Sequence, residues 1–162
     1  MAKKRITLLV MMLAVWLGAA AQSASIGHEL MVSMVDKYDE SKNVNGIVCT
    51  KGNGLEMIKM MLRKDFGKDF IKGVDEVIII EYSEADKEVA KDIRTQIETL
   101  SKVYEQKELP QSLTEGSYMR NYFKLNDSKD AITDMVVLME NAENKTVIYF
   151  GGTMTGEPKT KK

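Results

Sequence analysis

The chain is poor in the residues on which most protein chemistry depends. Among its 162 residues there is one cysteine, Cys49, one histidine, His28, one tryptophan and two prolines. A single cysteine can close no internal disulfide and build no zinc site of the cysteine-cluster type. Hydrolytic triads need an imidazole base and most zinc enzymes use more than one histidine, so His28 alone carries little. It falls in the first turn of a predicted helix and reads as an exposed residue there. Cys49 lies in a β-rich run among apolar neighbours and reads as a small buried hydrophobe. Lys51 and a helix start follow closely enough to keep a reactive thiol or mixed disulfide open as an alternative.

Positive charge is also scarce. Once the leader described below is set aside, 20 basic side chains stand against 24 acidic ones. That balance offers no excess for phosphate contacts and argues against nucleic-acid binding. After residue 21 no apolar run approaches the roughly 20 residues of a membrane-spanning helix. No calcium-loop spacing occurs, and the i, i+4 carboxylate pairs Asp65/Asp69 and Glu84/Glu88 read as solvated helix faces. No cofactor or metal is expected.

What is present begins with a leader. Lys3, Lys4 and Arg5 precede an uncharged apolar stretch, Ile6 to Ala21, which ends in Ala19-Ala20-Ala21. A basic start, a short apolar run and small residues at the cut describe a secretory signal over 1–21, with an uncleaved anchor as the alternative. The expected location is therefore periplasmic or extracellular, with no stable span after cleavage. Hydrophobic residues at 44% and charged residues at 29% then give a mix that builds a core without staples. One domain is expected over 22–155. The tail, 156–162, holds three lysines and reads as disordered.

Residues Ile26, Leu30, Met31, Met34, Val35 and Tyr38 recur at helical spacing, with Ser25 as N-cap. Ile47 to Thr50 reads as a strand. Gly52-Asn53-Gly54 lacks the third glycine and the Gly-Lys-Ser/Thr of phosphate cradles; a turn with Asn53 and Glu56 as a capping box fits better. The helix that follows has Leu55, Ile58, Met61, Leu62 and Phe66 on one stripe, widened by Met57 and Met60. VDEVIIIEY, 74–82, reads as a strand buried on both faces. A long helix is expected from the Ser83/Asp86 capping pattern to about Lys107, before Pro110. Tyr118–Leu125, Ile132–Glu140 and Thr146–Thr153 then alternate with hairpin-length polar loops, the pattern of an antiparallel meander. The predicted fold is α+β in two layers: a mixed sheet of about five strands, helices on one face, and the C-terminal meander.

In such a fold the second sheet face exposes apolar and aromatic side chains, more than a monomer ordinarily shows. Either that face is a partner surface, with Tyr118, Arg120, Tyr122, Val136 and Leu138 as its candidate residues, or the sheet curls around its own interior.

VDKYDESKNVNGIVCTKGNGLEMIKMML, VDEVIIIEYSE, YFKLNDSKDAITDMVVLME and TVIYFGGTM resemble, in order, the bacterial family called domain of unknown function 4252. The resemblance covers roughly 35–154. It implies a small exported protein of the Bacteroidetes type without assigned activity, encoded in many cases near extracytoplasmic-function sigma factors. It carries no functional residues. The chain departs from the family pattern after Gly151-Gly152, where members often continue into a further segment. The expected function is a non-enzymatic envelope interaction module, acting through the sheet face on a protein partner or on itself. The alternative is a binder of a small apolar molecule or lipid held between helices and sheet.

Overall fold

The structure, a computed structural model, describes residues 25–41, 43–107 and 118–155. The proposed leader and tail, and the loop after Pro110, lie outside the described residues. The order of elements is α1 (Ile26–Tyr38), β1 (Asn45–Cys49), α2 (Gly52–Phe66), α3 (Lys68–Lys72), β2 (Val74–Glu81) and α4 (Lys87–Glu98). A 3₁₀ turn (Thr99–Lys102), β3 (Glu105–Lys107), β4 (Tyr118–Leu125), β5 (Ile132–Glu140) and β6 (Lys145–Met154) complete it.

The fold is α+β, and β4, β5 and β6 form the expected meander. The sheet has six strands in the order β1-β2-β6-β5-β4-β3, and every neighbouring pair is antiparallel. A mixed sheet was expected because strand-helix-strand units usually return the chain in parallel. Here the first such unit reverses the chain, and the second returns it in parallel but not beside its starting strand. Cys49 pairs with Val77, so β1 ends where β2 begins, and the intervening chain leaves and returns at one end of the sheet. Gly67, at φ 90°, allows that reversal by breaking the helix between α2 and α3. The second helical crossover, through α4, joins β2 to β3, and β6, β5 and β4 lie between them.

The helices cover both faces rather than one, giving three layers. Ile78, Ile80, Tyr122, Val136, Leu138, Val147 and Tyr149 pack with Met31 and Met34 of α1 and Ile93 and Ile97 of α4. Val77, Met135, Val137, Ile148 and Phe150 pack on the other side with Leu55, Ile58 and Phe66 of α2 and Phe70 and Ile71 of α3. The cause lies in the strands: 77–80, 136–138 and 147–150 are apolar at consecutive positions, and successive side chains point to opposite faces. Neither face can be left to water. On the second face Phe150 makes edge contacts with Phe66 and Phe70, at centroid distances of 4.8 and 5.7 Å.

The long helix stops earlier than its periodicity suggested. It ends at Glu98, passes into the 3₁₀ turn, and Glu105–Lys107 joins the sheet as β3. Leu100 and Tyr104 remain buried, so the apolar recurrence is real, but it continues through a change of backbone.

Candidate interaction surface

The sheet has two edges, and they differ in chemistry. β3 is three residues long and carries Glu105 and Lys107. Shortness and charge are the usual guards against unwanted strand pairing. β1 has neither guard beyond moderate length: Asn45–Cys49 contains no charge and no proline. Among the described residues its only strand partner is β2. Ile47 and Val48 remain 48% and 46% exposed.

Beside this edge lies a helix that is apolar on two sides. α2 buries Leu55, Ile58 and Phe66 against the sheet. It also presents Met57, Met60 and Met61 to solvent at 60%, 71% and 69% exposure. Sequence placed Met61 on the buried stripe and let Met57 and Met60 widen it; the structure turns all three outward. A surface helix ordinarily puts charge on that face.

Local geometry brings the two features together. A methyl group built on Gly54 would lie 3.8 Å from Cys49 Sγ, so that flank of α2 faces β1. Met57 and Met61 follow Gly54 at spacings of three and four and therefore share its flank. Ile47 and Cys49 pair with Ile79 and Val77, residues of the sheet face that α2 covers. The start of α2 thus adjoins the end of β1, and exposed Ile47 and Val48 of the strand and Met57 and Met61 of the helix lie on these two neighbouring elements.

The opposite flank of α2 differs. There a groove of about 300 Å³ runs between α2 and α3, with Met60 and Ile71 in its lining. Lys59 is engaged: its Nζ donates to the Val74 carbonyl at 2.9 Å and lies 3.4 Å from Glu56. Arg63, Lys68 and Lys72 also line the groove, and among the described residues no ion pair engages them.

The residues singled out on the meander are divided by the fold. Tyr122, Val136 and Leu138 are fully buried beneath α1 and α4 and offer no partner surface. The reason is the second helical layer on that face. Tyr118 and Arg120 remain partly exposed at the margin. The Arg120 and Arg94 guanidinium groups stand 5.0 and 5.8 Å from the Tyr118 ring centre, and the Tyr118 hydroxyl donates to Glu98 at 3.2 Å. Burial, above other causes, pushes the Tyr118 hydroxyl up to about 12.

Polar groups inside the fold serve as fasteners. His28 is half-buried, not exposed, with Nδ1 2.8 Å from Glu76 Oε2. The Tyr149 hydroxyl donates to buried Asp134 at 2.9 Å and lies 3.2 Å from Ser25 Oγ, the N-cap of α1. Buried Glu140 accepts from the Tyr82 hydroxyl at 2.8 Å and from Arg94. These ties bind α1 and α4 to the sheet across large sequence separations, which is why no local motif announces them. Among the described residues no group of three potential metal ligands converges, and Cys49 is a half-buried free thiol. No helix among them is long and apolar enough to cross a membrane.

Comparison with family models, with curated proteins and with solved structures finds no match for the chain.

Proposed function

We propose that the chain is an exported, non-enzymatic interaction module of the cell envelope, docking through the β1 edge and the methionine flank of α2. One observation carries this reading: an unguarded strand edge and an apolar outer helix face adjoin, and together they hold Ile47, Val48, Met57, Met60 and Met61, most of the large hydrophobic side chains exposed among the described residues. Strand addition supplies backbone hydrogen bonds to such an edge, and adaptable methionines supply contact. The resemblance of 35–154 to a family of exported proteins, together with the basic-apolar-small pattern of 1–21, supports the envelope setting. This surface lies at the β1 edge of the sheet, away from the β4–β6 meander.

The test is a photo-reactive amino acid at Met57 in the producing cell. Crosslinks that disappear on Ile47→Lys with Met61→Lys are expected; crosslinks unchanged by that pair sink the surface. Export is checked separately by fusing residues 1–30 to alkaline phosphatase, which is active only outside the cytoplasm.

A second reading is supported by the α2–α3 groove. Arg63, Lys68 and Lys72, which no ion pair engages among the described residues, stand beside Met60 and Ile71 and suit an anionic amphiphile held on the outside of the fold. Native mass spectrometry of the purified protein is expected, on this reading, to show a co-purified anionic lipid that Arg63→Glu with Lys68→Glu removes.

A further inference from the structure

We infer that the outer face of α2 and the groove beside it form a contact for an anionic lipid bilayer, with Met57, Met60 and Met61 entering the boundary between headgroups and acyl chains. This rests on the anionic-amphiphile reading of the groove, and places that amphiphile in a membrane surface.

Charge selects the sign of the partner. From Lys51 to Lys72 the chain carries six basic residues and three acidic ones, whereas the whole chain has a formal net charge of −1. Lys59 is held by the Val74 carbonyl and Glu56. Arg63, Lys64, Lys68 and Lys72 are exposed, and among the described residues no ion pair engages them. Asp65 and Asp69 are exposed in the same stretch, and the four cations outweigh them. The stretch is a basic island on a chain whose remainder is acidic, and it attracts anions where the rest of the surface repels them.

Helical spacing sets apolar groups among these cations. Met60 precedes Lys64 by four residues and Met61 precedes it by three, so Lys64 neighbours both on the outside of the helix. Beyond Met60, the groove of about 300 Å³ brings in Arg63, Lys68 and Lys72. Leu55, Ile58 and Phe66 hold the opposite side of α2 against the core. Met57, Met60 and Met61 are the three most exposed large hydrophobic side chains among the described residues.

Shape selects a bilayer over an acidic protein. The methionines stand on the outward ridge of a helix, which is convex. A fluid lipid surface conforms to a ridge, whereas a protein must bring a matching cleft. Helices that lie in the membrane interface bury such side chains in the headgroup and acyl boundary and keep Lys and Arg at headgroup level. The long basic side chains reach phosphate while their stems stay on apolar surface. The groove then takes one phosphate headgroup between Arg63, Lys68 and Lys72.

Vesicle sedimentation tests this. The chain from Gln22 onward holds every described residue and excludes any lipid affinity of the leader itself. It is expected to bind vesicles of phosphatidylglycerol with phosphatidylethanolamine, to ignore phosphatidylcholine vesicles, and to bind less as salt rises. Each basic residue near an anionic surface contributes roughly fivefold to partitioning, so Arg63→Glu with Lys68→Glu is expected to lower it at least about 30-fold. Lys87→Glu with Lys91→Glu makes the same change in net charge on exposed side chains of α4, at the opposite sheet face. That pair is expected to change partitioning less than about threefold, because screening confines each charge to its own side of the molecule. Met57→Gln with Met60→Gln keeps every charge and is expected to lower partitioning about tenfold. All six substituted side chains are exposed, and an unchanged circular dichroism spectrum and melting temperature show that each variant folds.

Equal binding to both kinds of vesicle overturns the inference. So does a loss with the Lys87 and Lys91 pair as large as with Arg63 and Lys68, or binding that the glutamine pair leaves unchanged. The two readings fail separately. A lipid that co-purifies and is removed by Arg63→Glu with Lys68→Glu, in a protein that ignores vesicles, overturns the membrane contact and keeps the amphiphile. Absence of both overturns both. Photo-crosslinks from Met57 to an acidic protein, in a chain that ignores vesicles, assign the basic island to that protein instead.

Discussion

Two glycines hold β2 and β6 closer than side chains would allow. Gly152 adopts φ 146°, and a Cβ there would lie 2.2 Å from the Gly73 carbonyl oxygen. A Cβ on Gly73 would lie 2.0 Å from the Thr153 oxygen, and Thr153 N–H donates to Gly73 O at 2.8 Å. Backbone cannot move aside as a flexible side chain can. Gly152→Ala is expected to cost about 3 kcal/mol from steric displacement and left-handed strain together, read by urea unfolding. Buried Glu140 gives a second prediction. Tyr82→Phe removes a neutral donor and should cost about 1–2 kcal/mol. Arg94→Ala leaves a buried carboxylate without its cation and should cost about 2–3 kcal/mol, below the range for fully buried pairs because Arg94 is half exposed and water can replace it. A reversal of that order in paired unfolding measurements would show that the tyrosine hydrogen bond, not the arginine charge, is the main support of the carboxylate.

Helices show where local chemistry is sufficient and where it is not. Ser25 caps α1 by accepting from His28 N–H, as the sequence suggests. Asp86, rather than Ser83, caps α4 by accepting from Val89 N–H at 2.9 Å. Asn53 caps nothing: α2 begins at Gly52, after an extended Lys51 with no side-chain cap. Asp86→Ala should therefore lose about 1 kcal/mol, whereas Asn53→Ala should change stability by less than about 0.5 kcal/mol. Thermal melts of the two variants side by side check the contrast. Strands from VDEVIIIEY onward were legible because their apolar runs are long and bounded by polar loops. β3 was not, because three residues after a helical recurrence give no period to read. Strand direction was hidden for a different reason. A glycine between two helices decides whether a crossover returns parallel, and sequence does not say how far the chain has doubled back. The site was legible only in part: the excess of methionine on α2 was visible, but the side facing the core was not. Tyr122, Val136 and Leu138 were read as surface because nothing local shows that α1 and α4 share that face.

At the level of the whole molecule, three layers place several tyrosines where ionisation opposes folding. Burial raises the Tyr82, Tyr104 and Tyr149 hydroxyls above the ordinary value of 10.0. Each group binds its proton more tightly in the folded chain than in the unfolded one. The associated stability is fully present below about pH 10 and is lost as pH rises through the folded values. The melting temperature is expected to change little, from these groups, between neutral pH and about pH 9.5, then to fall steeply. Tyr149→Phe should lower the plateau, by losing the bond to Asp134, yet soften the alkaline fall. An alkaline fall equally steep in that variant would assign it to other groups.

The strand order also sets a timetable for synthesis. β2 takes one neighbour from before it, β1, and the other from the last described strand, β6. Val77, Ile78 and Ile80, buried in the finished fold, therefore wait with one side unpaired until Lys145–Met154 has been made. A ribosome releasing its product anywhere short of Lys145 leaves that open, sticky ribbon for a chaperone or a protease to find.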